Sequence, residues 1–339
     1  MRAPLVTVLI DTYNYGRFIE QAIESVLIQD LPMEHIEVVV VDDGSTDDTA
    51  ERVKKYGSRI QYFYKPNGGQ ASAFNFGFRH AQGDIVVLLD ADDYFLAGKL
   101  KRLVEEFRRY PDAGMVYHQL LELRVASGEL TEPEMTFVSG FLPDDRERLL
   151  KFVPYSTSCL AFRRSVVERL LPVPEGLRLQ ADGYITLLAV LLAPVRSVKE
   201  PLAVYRLHGG NLYYADDATA TRETKRRQIE SYMNMMREVY GWARRHRLDL
   251  PAGASRLFLG HHLLPWEERG FLVDPPSRGR FFWFLVRQNY LYSPLQTWKF
   301  TLLNYLLAVR ALATGYHGAA SIYGQRSKAV ERLQSIFKR

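Results

Sequence analysis

Apolar runs at residues 5–10, 36–41 and 85–89 punctuate the first hundred residues, and each gives way abruptly to acidic side chains. Near-continuous apolar runs of this length, broken here only by Thr7 and Glu37, are the mark of strands buried on both faces, as in parallel sheets. The first ends in Asp11-Thr12-Tyr13-Asn14, the second in Asp42-Asp43-Gly44-Ser45-Thr46-Asp47, and the third in Asp90-Ala91-Asp92-Asp93. Between them Phe18, Ile19, Ala22, Ile23, Val26 and Leu27 recur at helical spacing, and residues 49–55 continue as a helix. Residues 60–64 read as a further strand, and small and apolar residues carrying Asn75 and Gly77 make a helix over 71–81. The alternation predicts an α/β fold: a mostly parallel, doubly wound sheet flanked by helices. Ligands of such sheets bind at the carboxyl ends of the strands, so acidic ends on separate strands predict one shared pocket.

Beyond residue 95 the pattern is less regular. Residues 99–109 form an amphipathic helix, 115–123 a strand, and Ser127-Gly128 a hairpin turn. Residues 131–146, with Pro133, Pro143 and several acids, read as a variable loop. Ser156-Thr157-Ser158 leads into a strand at 159–162, and residues 184–192 form an apolar helix preceded by Gln180-Ala181-Asp182-Gly183. Residues 221–246 carry a long helical pattern with many basic side chains on what is read as a solvated face.

Charge changes this picture. Residues 1–215 hold 24 Lys and Arg against 29 Asp and Glu, whereas 216–339 hold 20 against 10. From Pro275 onward the count is 10 to 1, in a stretch rich in Trp, Phe and Tyr. A basic, aromatic tail suits an anionic membrane surface; the alternative is helices packed on the preceding domain. The runs at 281–286 and 300–309 are broken by Arg287, Lys299 and Arg310, so no uncharged stretch reaches the roughly 20 residues that span a bilayer. No nucleic-acid module is present. The lone cysteine, Cys159, reads as a buried core residue and suits a reducing cytosol, and the amino-terminal residues lack a secretory pattern.

Three carboxylates at 90, 92 and 93 repel one another, so a site that keeps them ionised supplies a divalent cation or several hydrogen-bond donors. The plain alternative is a cap on the helix that starts near Ala97. The surrounding motifs decide between them. Val8 through Asn14, Val40 through Asp47, Asn67-Gly68-Gly69-Gln70 through Gly77, Leu89 through Asp93, and Tyr205-Arg206-Leu207-His208-Gly209-Gly210-Asn211 resemble, in order and spacing, the family 2 glycosyltransferases of the GT-A fold. The likeness covers roughly residues 4–212. It implies a catalytic domain over 1–215, with a nucleotide-sugar-binding half at about 1–95 and an acceptor half at about 96–215. Residues 216–339 form an α-helical carboxy-terminal extension.

The resemblance implies that Thr12, Tyr13 and Asp43 hold the nucleobase and ribose, and that Asp11, Asp42, Gly69, Gln70 and Asn75 also bind the donor. The family's Asp-X-Asp motif falls on Asp90-Ala91-Asp92. Asp90 and Ala91 then face the donor, while Asp92, with Asp93 and His208, holds a divalent metal, Mn2+ or Mg2+. For His208 alone, a core or solvated histidine is the other reading. The implied catalytic base is Asp182, ahead of a helix; Ala181 stands where the family commonly has Glu, and an N-cap role for Asp182 is the competing account. The resemblance further implies inverting transfer of a single sugar, with uridine as the family's preferred base, to a glycan or lipid-linked hydroxyl in bacterial surface-polysaccharide synthesis. No Gln-X-X-Arg-Trp motif of processive synthases occurs. The expected location is the cytoplasm, at the inner face of the cell membrane. The other functions weighed are a nucleotidyltransferase and a non-catalytic nucleotide-sugar-binding scaffold.

Overall fold

The computed structural model describes residues 5–153, 156–211, 221–248, 254–274, 276–292 and 308–309. In chain order the elements begin β1 (Val6–Thr12), α1 (Gly16–Leu27), β2 (Ile36–Asp42), α2 (Thr49–Lys54), β3 (Gln61–Tyr64), α3 (Gln70–His80), β4 (Ile85–Asp90) and β5 (Tyr94–Phe95). They continue with α4 (Lys99–Arg109), β6 (Met115–Arg124), β7 (Glu129–Thr131), α5 (Arg146–Lys151), β8 (Leu160–Arg163), α6 (Arg164–Glu168), α7 (Ala181–Leu192) and β9 (Val195–Leu207). Three further helices follow: α8 (Arg222–Arg245), α9 (Ala254–Val273) and α10 (Arg278–Tyr292).

The strands form one sheet in the order β3-β2-β1-β4-β8-β6-β9-β5, with β7 added to β6. The first four are parallel, each returned by a helix, as the βαβ pattern predicts. Beyond β4 the sheet is mixed: β8 runs antiparallel to both β4 and β6, and β6 pairs parallel with β9. Apolar runs report burial on both faces and carry no information on direction, so the reversal at β8 is invisible in the pattern.

One face of the parallel strands presents Val6, Val8, Ile10, Val38, Val40, Val87 and Leu89 to α1 and α4, whose Ile19, Ile23, Val26, Leu103 and Phe107 complete a buried cluster. On the opposite face α3 lies so close to β1 that a Cβ on Gly77 would stand 2.2 Å from Leu9 Cδ1. A mid-helix glycine lowers helix propensity, and here that cost is offset by the close approach that seats α3 on the sheet.

The chain divides into two compact units, residues 1–221 with 230–250 and residues 222–229 with 251–339. In the first, Met235 of α8 approaches Gly183 on α7, and Asn234 donates to the Gly176 carbonyl. The second has its own core of Leu264, Phe271, Phe281, Phe284, Leu285 and Leu291. On α10, Arg280, Trp283, Arg287 and Tyr290 recur on one exposed stripe. No helix among the described residues is long and apolar enough to cross a membrane. The predicted apolar run at 300–309 lies outside the described residues except for 308–309.

Candidate active site

The parallel register sets the site. Asp11 is paired with Asp90 across β1 and β4, and Thr12 with Asp42 across β1 and β2, so the polar strand ends stand side by side. Asp11 Oδ1 and Thr12 Oγ1 are buried and accept or donate no hydrogen bond. Buried polar atoms are normally satisfied, so this adjacent pair is a candidate contact for a bound group. Burial pushes the Asp11 carboxyl up to about 7, with the charges of Asp182, Asp92 and Asp43 adding to the effect. Tyr13 stands exposed beside them.

The second strand end builds the pocket's frame. Asp42 accepts from the Ser45 amide at 2.7 Å and the Tyr62 hydroxyl at 2.7 Å, which closes the turn after β2. Asp43 accepts from Lys65 Nζ at 2.6 Å and from the amides of Gly68 and Gly69 at 2.9 and 2.6 Å. Its carboxylate therefore shapes the Asn67-Gly68-Gly69 turn. Gly69 has φ +85°, and a Cβ there would lie 2.6 Å from Arg178 Cα. The turn is zippered to the segment before α7: Gln70 N and Ala71 N donate to the Arg178 and Leu177 carbonyls, and Gln70 Oε1 accepts from Ala181 N at 2.9 Å. Asn67 Oδ1 also accepts from the Arg178 guanidinium. Asn75, buried on α3, spends its carboxamide on both backbone groups of Val173, each at 2.8 Å. Of the residues assigned to the donor, Asp42, Asp43, Gln70 and Asn75 thus hold the pocket's walls through internal bonds.

At the third strand end, ligand oxygens of Asp90, Asp92 and Asp93 lie within 4.8 Å of one another. Asp90 and Asp93 are held well above the ordinary carboxylate range, first by burial and then by neighbouring charge from Asp11 and Asp92 for Asp90, and from Asp92 for Asp93. An all-oxygen, anionic set of this kind fits a hard divalent cation. Asp93 is turned inward: its oxygens accept from Ser158 Oγ at 2.5 Å and the Arg206 amide at 2.9 Å. His208 packs its ring on Phe18 and sets Nε2 2.9 Å from Asp92 Oδ2. Its Nδ1 faces the Gly210 amide and the Arg17 guanidinium, both donors, so the ring proton belongs on Nε2 and is donated to Asp92. His208 therefore orients the Asp92 carboxylate in this arrangement. Arg206 braces the same loop from beneath, donating to the Asp92 carbonyl and to Gln21. It lies within the matched segment at 205–211, where nothing in the sequence distinguishes it from its neighbours.

Asp182 occupies the first turn of α7, one residue beyond its start, and Gln180, with φ 69°, is the N-cap. An N-cap role for Asp182 is thereby replaced by a place inside the helix. Burial raises its carboxyl, opposed by the Gly183 amide and by Thr157, whose Oγ1 donates to Asp182 Oδ2 at 3.1 Å. The charges of Asp182 and Asp92 are felt at both Asp11 and Asp90, which brings these four carboxylates into one electrostatic neighbourhood.

A parallel half joined to a mixed half, with acidic strand ends and a helix-borne carboxylate in one electrostatic neighbourhood, is the arrangement of the GT-A architecture. Solved structures share that fold. Staphylococcus aureus TarS (residues 1–349), in complex with UDP-GlcNAc, aligns with TM-score 0.63 at 19% identity, covering 91% of this chain and 92% of that one. The mannosyltransferase PcManGT of Pyrobaculum calidifontis, in complex with GDP-Man and Mn2+, aligns with TM-score 0.53 at 20% identity, over 97% of this chain and 81% of that one. A family model described as Glycosyl transferase family 2 matches residues 7–171. An uncharacterized glycosyltransferase of Nostoc sp. is 33% identical over 303 residues, which is 79% of this chain and 92% of the relative. The chain belongs to glycosyltransferase family 2.

Proposed function

We propose that the protein transfers one sugar, with inversion, from a nucleoside diphosphate sugar to a hydroxyl acceptor. The observation that carries this is the convergence of Asp11, Asp90 and Asp92 at adjoining strand ends with Asp182 on the first turn of α7. The unpartnered Asp11 Oδ1 and Thr12 Oγ1, with Tyr13 at the rim, receive the nucleoside. Two structural neighbours solved with a UDP-sugar and a GDP-sugar support a nucleotide-sugar donor, and uridine is the base proposed here.

Asp92 and Asp90 would hold a divalent metal, Mn2+ or Mg2+, with Asp93 fixed behind them by Ser158 and Arg206 and with His208 steering Asp92. Such an ion acts as a Lewis acid on the departing diphosphate. Asp182 accepts the acceptor hydroxyl's proton as its oxygen attacks the anomeric carbon. Displacement by an acceptor activated by one base inverts the anomeric centre. Product analysis tests the reaction class. Incubation of donor, acceptor and Mn2+ is expected to release nucleoside diphosphate in step with glycosylated acceptor; release of pyrophosphate instead would make the protein a nucleotidyltransferase.

The acceptor is a lipid-linked or surface glycan met at the inner face of the membrane. The exposed Arg280, Trp283, Arg287 and Tyr290 stripe on α10 supports this, since aromatic and basic side chains together favour an anionic bilayer surface. The full chain should co-sediment with anionic vesicles and release from them at high salt, and Trp283→Ala should weaken the binding. Equal recovery with anionic and neutral vesicles removes this part of the proposal.

A further inference from the structure

The 3-10 turn Thr157–Cys159, immediately before β8, lies between the two chemical ends of the site. Thr157 donates to Asp182 at 3.1 Å. The next residue, Ser158, donates to Asp93 Oδ2 at 2.5 Å and accepts from the Asp90 amide at 3.1 Å. Consecutive hydroxyls therefore reach the carboxylate on α7 and the acidic end of β4. Both residues are buried, at 2% and 0% exposure, so neither bond competes with bulk water.

The turn is itself anchored from below. Lys99, at the start of α4, has no exposed surface and donates from Nζ to the Ser158 carbonyl at 2.7 Å, with the Phe95 ring centroid 3.5 Å away. A lysine is rarely enclosed this fully, and its described hydrogen bond goes to backbone. Cys159 Sγ lies 2.9 Å from the Ser156 carbonyl and closes the turn on its other side. The arrangement is a bracket: α4 holds the turn, and the turn holds a carboxylate on α7 and the acidic end of β4.

We propose that Thr157 and Ser158 are positioning residues that set the distance between the base and the diphosphate end of the site, with Lys99 as their anchor. The inference rests on Asp182 being the base, as proposed above. Thr157 acts through Asp182, and Ser158 acts through Asp90 and Asp93. Transfer needs the base aligned on the acceptor oxygen, and small displacements of such groups reduce rate far more than they reduce binding.

The test compares Thr157→Val, which keeps shape and removes the hydroxyl, with Thr157→Ser, which keeps the hydroxyl. Thr157→Val is expected to lower kcat for acceptor-dependent transfer about 10-fold or more while donor KM and the unfolding midpoint stay at the parent values. Thr157→Ser is expected to restore kcat. A loss in Thr157→Val that Thr157→Ser does not restore, or one that tracks a fall in folded protein, assigns the turn a packing role and overturns the inference. Asp182→Asn is measured in parallel. If it is inactive while Thr157→Val transfers at the parental rate, the bracket alone is wrong; if Asp182→Asn itself transfers at the parental rate, the base assignment and the inference fall together.

Discussion

Asp182→Asn is expected to reduce acceptor-dependent transfer about a thousandfold, within the range associated with loss of a general base, while nucleotide binding stays intact. Asparagine keeps the shape of the side chain and an oxygen to receive the Thr157 hydroxyl, so the bracket survives and only the proton acceptor is lost. The pH profile supplies a second readout. Because burial raises the Asp182 carboxyl above the ordinary aspartate value, the ionised base is lost on acidification sooner than for a solvated aspartate. Parental kcat should therefore fall on the acid side at a pH above that expected of a solvated aspartate, and the variant's residual rate should lack that limb. Undiminished transfer by Asp182→Asn, measured as nucleoside diphosphate released per acceptor, would move the base elsewhere.

The second large effect is expected at Asp92. Asp92→Asn removes one charge from the cluster and weakens a hard-cation site, so Mn2+- or Mg2+-dependent transfer should drop by about three orders of magnitude, on the scale of several kcal/mol for Lewis-acid assistance. Thermal unfolding shows the same site without turnover. Asp11, with a carboxyl raised to about 7, holds a proton in the folded state at pH values where the unfolded chain, titrating near 4, has lost it. Between those values the folded state binds more protons, so this group's contribution to stability falls as pH rises. Asp90, Asp93 and Asp182 are raised in the same direction. Metal with nucleoside diphosphate should consequently raise Tm more at pH 8 than at pH 5, and Asp92→Asn should lose most of the difference. Equal metal-induced shifts in parent and variant would show that Asp92 is not a ligand.

Much of this site is legible in the sequence because the chain marks strand ends so clearly: an apolar run stops and a carboxylate begins, as at Leu9-Ile10-Asp11 and Leu88-Leu89-Asp90. The parallel half and its helices follow from the same periodicities. The division of labour within the motifs does not. Asp42 and Asp43 look as available as Asp11, yet hydrogen bonds from Ser45, Tyr62, Lys65, Gly68 and Gly69 engage them in building the turn. Asn75 sits in a recognised motif and is bound to Val173, 98 positions away. Thr157 and Ser158 join the acidic centre only because β8 inserts between β4 and β6, a pairing no local pattern announces. Gln180 in the left-handed region likewise moves the cap two residues upstream of Asp182, so that the helix begins at Ala181.

The zipper between residues 67–71 and 177–181 sets a rule for altering donor choice in this protein. The turn proposed to border the nucleotide and the lead-in to the helix of the proposed base are joined into one mechanical piece, so the natural unit of exchange in a chimera is the pair. A loop graft confined to residues 67–70 would carry a new selectivity onto a base left out of register, whereas moving both segments together keeps recognition and reactivity matched.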